Sequence, residues 1–196
     1  MVVGITGGIG SGKSVAIAIL EGRGLPVLSA DAVSREIMLP GSEVLRELAE
    51  AFGDDILDSS DGSLKRKLLA DKVFGSEKNT NLLNSIVHPA IEKELLKRID
   101  ELRAEDPERH IMVEIPLLYE AGWERLCDRV WCVSAGEKLR VERVMKRDGI
   151  SRRAARARMR HQMEEARKAA LADFVIYNDG SPEELAANID KAISTL

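Results

Sequence analysis

The sequence predicts an α/β protein in which a parallel β-sheet is flanked by helices. A glycine-rich turn joins a short apolar strand, Val2 to Thr6, to a helix with one apolar face, Ser14 to Glu21. A second apolar strand, Pro26 to Ser29, follows that helix, and strand–helix–strand units of this kind build parallel sheets. The length of 196 residues suits one domain with insertions.

The rest of the chain is predicted to alternate between the sheet core and helical regions. The core comprises about residues 1–31, 106–135 and 171–196, and its later strands are expected at Ile111–Ile115, Arg129–Val133 and Phe174–Tyr177. Residues 32–105 have a helical pattern, which turn-forming residues break near Pro40, Gly53, Asp58–Gly62 and Pro89. So long a helical stretch between core strands indicates an inserted region that binds substrate.

An arginine-rich segment, residues 136–170, is predicted to form two helices, Glu137–Arg147 and Ser151–Ala170. The last helix begins at Ser181, where Pro182 occupies the first helical position and Glu184 completes a capping box.

The composition excludes several classes of protein. Aromatic residues make up 4% of the chain and the net charge is −4, which argues against nucleic acid as a partner. Cys127 and Cys132 match no zinc signature, and Cys132 lies in an apolar run typical of a buried strand. No signal peptide or membrane-spanning run is evident, so we expect a cytoplasmic protein that is a monomer or weak homo-oligomer.

The strongest motif is the run Gly7-Gly8-Ile9-Gly10-Ser11-Gly12-Lys13-Ser14, which fits the phosphate-binding P-loop pattern without a mismatch. Its glycines allow a tight turn whose N–H groups point at phosphates, and the following helix adds partial positive charge. Lys13 is expected to reach the β- and γ-phosphates, and the Ser14 hydroxyl to bind Mg²⁺. The alternative is a glycine turn that merely caps a helix.

A P-loop is shared by GTPases, motor ATPases and kinases. The guanine-specifying pattern N-K-x-D is missing, because Asn188-Ile189-Asp190-Lys191 has the wrong order. The small size and the arginine-rich segment favour a kinase that closes over its substrate.

Two acidic residues stand where predicted strands end. Asp31 follows the second strand, at the edge of a parallel sheet where ligands bind, so it is a candidate to accept a proton from an acceptor hydroxyl. The alternative for Asp31 is a helix N-cap. Glu114 is a candidate to organise the Mg²⁺ shell, directly or through water, or else is a solvated strand end. Glu120 is expected to help hold the turn that begins at Pro116.

The arginine-rich segment is strongly basic, with nine arginines and three lysines against four acids between Lys138 and Lys168. It suits a lid that clamps ATP phosphates, a nucleic-acid surface, or a solvated helix face. Arg143 and Arg147 lie four apart and project from one helix face, and we favour the lid. We expect the other arginines to be surface residues, for the most part: Arg152, Arg153, Arg156 and Arg158.

These motifs together resemble bacterial dephospho-coenzyme A kinases along nearly the whole chain. The matching pieces occur in order and extend well beyond the P-loop: Gly4–Ser14, Ala30-Asp31, Phe52-Gly53, Asp61–Leu64 with Arg66, Val87–Pro89, Pro116–Glu120, Asp128–Val130, Arg143, Arg147-Asp148, Gln162, and Ala172–Ile176 with Asn178.

The resemblance implies ATP-dependent phosphorylation of the ribose 3′-hydroxyl of dephospho-CoA, the last step of CoA synthesis. It implies Asp31 as the residue that activates the hydroxyl, Arg143 or a neighbour as the lid arginine, and Asn178 near the adenine. The implied ATP site comprises Gly8 to Ser14, Val15, Arg143, Arg147 and Asn178. The implied acceptor site comprises Thr6, Asp31, Arg66, His88 and Pro116. His88 has the alternative of packing at a helix end.

Three positions depart from the pattern common in the family. Ser29 stands where an aspartate is frequent, Lys65 where an asparagine is, and Arg140 where a glutamine is. Asp31 is retained, so the first departure does not threaten the transfer chemistry. Two other functions remain open at this stage: another small kinase, for a nucleotide, shikimate or a sugar acid, and a nucleotide-dependent regulator.

Overall fold

A computed structural model describes all 196 residues. They form two compact units, a sheet unit of residues 1–29 and 102–196 and a helical unit of residues 30–101. The helices are, in chain order, α1 (Lys13–Gly22), α2 (Ala30–Glu36), α3 (Glu43–Phe52), α4 (Arg66–Val73), α5 (Glu77–Glu105), α6 (Glu137–Asp148), α7 (Arg152–Met159), α8 (Glu165–Leu171) and α9 (Pro182–Ile193). Short 3-10 helices cover Asp54–Ile56 and Trp123–Leu126.

The sheet has five parallel strands, and the predicted parallel α/β class is confirmed. They are β1 (Val2–Thr6), β2 (Val27–Ser29), β3 (Ile111–Glu114), β4 (Arg129–Ser134) and β5 (Phe174–Tyr177), in the spatial order β2-β3-β1-β4-β5. Each of the five predicted strands is present, with bounds that shift by one residue at most. Since β1 is central and the strands are parallel, the turn after β1 lies at the edge where all carboxyl ends meet.

The core of the sheet unit lies between the sheet and the helices α1 and α9. Val3, Ile5 and Trp131 are fully buried there, together with Leu20 of α1 and Ile189 of α9. These strands read as apolar runs because a parallel sheet is covered on both faces. Cys132 lies in β4 with no exposed surface, as predicted, and burial raises the pKa of its thiol to about 12.

The predicted helix Ser151–Ala170 is wrong in its middle, because two helices, α7 and α8, occupy that stretch. Helix α7 ends before Arg160, and Glu164 has an extended backbone with φ −55° and ψ 137°. Between them the peptide N–H of Met163 donates to Glu120 Oε1 over 2.8 Å instead of to a helical carbonyl. A side chain distant in sequence therefore ends the helix, and helical periodicity does not reveal it.

The helical unit contains α2 to α4 and most of α5. The predicted breaks near Pro40, Gly53 and Asp58–Gly62 separate its elements, but the break at Pro89 is wrong, because Pro89 lies inside α5. Proline removes one helical hydrogen bond, yet α5 buries a stripe at four-residue spacing, Val87, Ile91, Leu95 and Ile99. Burial of that stripe outweighs the lost hydrogen bond.

The final helix α9 begins as predicted. Ser181 Oγ accepts from the N–H of Glu184, and the Glu184 carboxylate accepts in return from the N–H of Ser181. None of the helices is both long enough and apolar enough to cross a bilayer.

Candidate active site

The phosphate loop, Gly7–Ser14, leaves the central strand β1 and enters α1. Gly10 and Gly12 have φ values of +80° and +93°, which side-chain-bearing residues rarely adopt. A Cβ on Gly12 would also lie 2.0 Å from Asn178 Nδ2. Lys13 Nζ donates to the carbonyl of Gly7 over 2.9 Å, so the ammonium folds back over the loop. The loop and the N-terminus of α1 together have the geometry of an anion-binding site.

Arg143 and Asn178 both contact this loop, although they come from different elements. Asn178 is buried just after β5 and donates through Nδ2 to the carbonyl of Ser11 over 2.8 Å. Arg143 of α6 donates to the carbonyl of Asn178 over 3.0 Å and to those of Gly10 and Ser11 over 3.4 Å. The structure thus brings together two predicted ATP-site residues and the loop.

Arg147 takes a different position from Arg143, although the two lie one helical turn apart. Its guanidinium donates to both carboxylate oxygens of Asp148 over 2.7 and 3.1 Å and is 61% exposed. Arg158 binds the same carboxylate over 2.6 Å, and the two guanidinium groups lower the pKa of Asp148. In this structure Arg147 belongs to a surface ion-pair cluster.

Oxygen ligands suited to Mg²⁺ are present at the sheet edge. Ser14 is exposed in the first turn of α1, beside Val15, and offers a hydroxyl. Glu114 ends β3, and its carboxylate accepts from Ser29 Oγ over 3.0 Å across paired strands. Hydroxyl and carboxylate oxygens are the ligand types that Mg²⁺ prefers, so the donor set fits the ion. The Ser29 departure thus provides a partner for Glu114.

Three residues that contact the loop were not predicted to do so. Arg140 Nε donates to the carbonyl of Ile9 over 3.1 Å, and its Nη1 lies 3.2 Å from Glu165 Oε2. The same Glu165 oxygen accepts from the N–H of Gly8 over 2.9 Å, and Gln162 Oε1 accepts from the N–H of Ile9 over 2.8 Å. Gln162 appeared only as part of the family resemblance, and no local pattern distinguishes Glu165 from its neighbours.

A buried ion pair anchors the end of the arginine-rich segment. Lys168 is fully buried, and its Nζ donates to Glu120 Oε1 over 2.8 Å and to the carbonyl of Pro116 over 2.9 Å. Thr6 Oγ1 donates to the same carbonyl over 3.4 Å. Burial alone would raise the pKa of Glu120, but hydrogen bonds from Lys168 and the Met163 N–H outweigh it and lower that pKa.

The other predicted acceptor-site residues belong to the helical unit. Asp31 is exposed in the first turn of α2, and its carbonyl accepts from Arg35 Nε over 3.1 Å. Arg66 is the exposed first residue of α4. His88 lies within α5 rather than at a helix end, and partial burial lowers the pKa of its imidazole.

Comparison with known proteins gives matches over almost the entire chain. The family model for dephospho-CoA kinase (CoaE) matches residues 1–184. The dephospho-CoA kinase of Moorella thermoacetica is 40% identical over 191 residues, which are 97% of this chain and 90% of that protein.

Solved structures agree with the sequence matches. A Thermus thermophilus protein, TT1252, superposes with a TM-score of 0.85 at 35% identity and covers 100% of this chain and 97% of its own. Dephospho-CoA kinase from Campylobacter jejuni superposes with a TM-score of 0.74 at 29% identity, and the match covers 98% of this chain and 95% of that chain. The resemblance inferred from the sequence is therefore confirmed.

Proposed function

Because the chain belongs to the dephospho-CoA kinase family, we propose that it transfers the γ-phosphoryl group of ATP to the ribose 3′-hydroxyl of dephospho-CoA. The products are coenzyme A and ADP, which corresponds to the last step of CoA biosynthesis. The observation that supports this most directly is the phosphate loop with Lys13 folded over it and Arg143 bound to it. Catalysis of phosphoryl transfer rests mainly on positioning and charge stabilisation, and these are the groups that supply both.

ATP binds along the phosphate loop in this proposal. Residues 8–14 surround the phosphates, and the loop N–H groups that no side chain holds point at them. Val15 comes next in α1, and Lys13 neutralises charge on the β- and γ-phosphates. Arg143 stabilises the charge that develops on the transferred group, and Arg147 joins it when the arginine-rich segment closes as a lid. The family resemblance indicates Asn178 as a residue close to the adenine, and its side chain donates to the carbonyl of Ser11 in the loop.

The Ser14 hydroxyl would hold Mg²⁺, which would supply further charge neutralisation for the phosphates. Glu114 would act on the hydration shell of the ion, and Ser29 keeps the Glu114 carboxylate in place through its 3.0 Å hydrogen bond. We assign Ser14 and Glu114 to the ion because hydroxyl and carboxylate oxygens are the ligands that Mg²⁺ prefers.

Dephospho-CoA is held by a set of residues that the family resemblance indicates. Asp31 accepts the proton of the 3′-hydroxyl, or holds that hydroxyl in line with the γ-phosphate. The remaining contacts come from Thr6, Arg66, His88 and Pro116. We further propose that the protein works in the cytoplasm on small molecules alone, as a monomer or weak homo-oligomer, without nucleic acid or membrane.

A panel of acceptors tests the reaction. ATP is incubated with dephospho-CoA, AMP, dTMP or shikimate, and the release of ADP is compared. We expect dephospho-CoA to stimulate release far above the others. Equal or greater stimulation by another acceptor would replace this function with that of another small kinase.

The Asp31→Asn variant tests the role of the base. Because asparagine keeps the size and hydrogen-bonding capacity of aspartate, the variant should melt within a few degrees of the wild type and bind ATP normally. Loss of a general base lowers turnover on the order of a hundredfold or more. Steady-state kinetics and a melting curve measure both quantities. Turnover within a few-fold of the wild type would exclude Asp31 as the base and make Glu114 the next acid to test.

A further inference from the structure

The first peptide units of the phosphate loop are held by side chains from the arginine-rich segment. Glu165 accepts from the N–H of Gly8, and Gln162 accepts from the N–H of Ile9. Arg140 donates to the carbonyl of Ile9 and pairs with Glu165. The backbone N–H groups of Gly8 and Ile9 and the carbonyl of Ile9 therefore all have side-chain partners. Such a set fixes the orientation of the peptide planes, since each plane can rotate only by breaking a hydrogen bond.

The ion pair within this set is buried. The Arg140 side chain is 6% exposed and that of Glu165 is 13% exposed, with 3.2 Å between the nearest nitrogen and oxygen. A buried carboxylate beside a phosphate site would repel the ligand unless a positive charge offset it. Arg140 supplies that charge.

The Arg140–Glu165 pair packs directly against the backbone of the loop. A Cβ placed on Gly8 would lie 2.3 Å from Glu165 Oε2 and 2.4 Å from Arg140 Nη2. The pair thus rests directly on the backbone of Gly8, and only glycine allows that approach. The backbone around Glu165 is also anchored, because Glu120 binds the Met163 N–H before it and Lys168 after it.

We propose that Glu165 is a positioning residue, which acts through the N–H of Gly8 to orient the phosphate loop before ATP binds. The competing explanation is that its carboxylate imitates a phosphate and must leave when ATP arrives. Two observations favour positioning. The neighbouring N–H is held by a neutral amide, that of Gln162, and the carbonyl of Ile9 is held by Arg140. A phosphate mimic accounts for the contact with the Gly8 N–H but for neither of these two contacts.

This inference rests on the proposed function only in taking ATP as the ligand, so ATP binding is measured without any acceptor. Glu165→Ala removes the acceptor of the Gly8 N–H, whereas Glu165→Gln keeps an acceptor oxygen and removes the charge. We expect Glu165→Ala to weaken ATP binding by about tenfold or more, since a lost hydrogen bond to a charged group leaves a buried donor unpaired. Glu165→Gln should restore the affinity to within about threefold of the wild type.

Calorimetric titration with ATP and the KM for ATP are the readouts, and melting curves report folding. Glu164→Gln is the matched control, because it removes one negative charge from an adjacent exposed residue, and it should bind ATP like the wild type. If Glu165→Ala does not fold, Gln162→Ala tests the same set through the Ile9 N–H and should weaken ATP binding several-fold.

Two results would overturn the proposal. Tighter or unchanged ATP binding in Glu165→Ala would identify a phosphate mimic or a bystander. Equal losses in Glu165→Ala and Glu165→Gln would show that the charge, rather than the accepted hydrogen bond, is what matters. If the wild type itself did not bind ATP, the proposed function would fail instead, so the two failures remain distinguishable.

Discussion

The arginine-rich segment has two sides that share a composition but differ in environment. On the inner side, Arg140 and Arg143 contact the phosphate loop, and Lys168 is fully buried. On the outer side, Arg147 and Arg158 pair with one carboxylate while more than half exposed. Exposed pairs contribute little free energy, whereas buried ones fix geometry and are costly to break. The difference teaches that the count of arginines does not distinguish the residues that contact the phosphate loop from the solvated ones, whereas the extent of burial does.

Removing the buried ammonium should produce the largest effect. Lys168→Met keeps much of the side-chain volume but leaves the Glu120 carboxylate without its counter-charge. Breaking one partner of such a pair lowers the free energy of unfolding by about 3 kcal/mol. Urea unfolding at neutral pH measures this loss of unfolding free energy. Lys146→Met, on the exposed side of α6, is the control and should change stability by less than about 0.5 kcal/mol. Equal effects of the two variants would remove the distinction between the two sides.

The guanidinium on the loop gives the second test. Arg143→Lys keeps the charge but loses the planar fork that reaches Gly10, Ser11 and Asn178. We expect kcat/KM for ATP to fall by about thirtyfold, since one preorganised donor to a developing charge is lost. Arg153→Lys makes the same exchange on an exposed residue of α7 and should stay within about twofold of the wild type. Comparable losses in both would mean that general basicity is what matters.

The smallest expected effect is a pH dependence of stability. The lowered pKa of Glu120 means that its stabilising contribution is complete above the unfolded value of about 4.3 and is lost as pH falls through the folded pKa. Glu120→Gln should therefore be less stable than the wild type at pH 7, and the gap should narrow below about pH 4, where the wild-type carboxylate also becomes protonated.

Urea unfolding at a series of pH values measures this gap. Glu142→Gln, which changes an exposed acid of α6, provides the baseline. A gap for Glu120→Gln that does not change with pH would contradict the assignment.

Local features of this protein could be predicted from the sequence, because neighbouring residues determine them. The phosphate loop needs glycines at fixed spacing, and the capping box of α9 needs Ser181 and Glu184 three residues apart. The strands could be predicted because buried parallel strands are continuous apolar runs.

Features that depend on distant contacts could not be predicted. The interruption between α7 and α8 depends on Glu120, more than forty residues away, and the continuity of α5 through Pro89 depends on a buried stripe. The turn that Glu120 was expected to help hold involves distant partners, because Glu120 binds Lys168, which also donates to the carbonyl of Pro116, and the Met163 N–H. The loop contacts of Gln162 and Glu165 leave no trace in spacing, because they join elements over 150 residues apart.

The strand order also governs how the chain is assembled during synthesis. The central strand β1 pairs with β3 and β4, which follow it by more than a hundred residues, whereas residues 30–101 are contiguous. At ribosomal speeds of roughly 5–20 residues per second, β1 waits on the order of ten seconds for its first neighbour. The sheet around β1 therefore cannot form until late in translation, and a message truncated before β3 leaves β1 without a neighbouring strand.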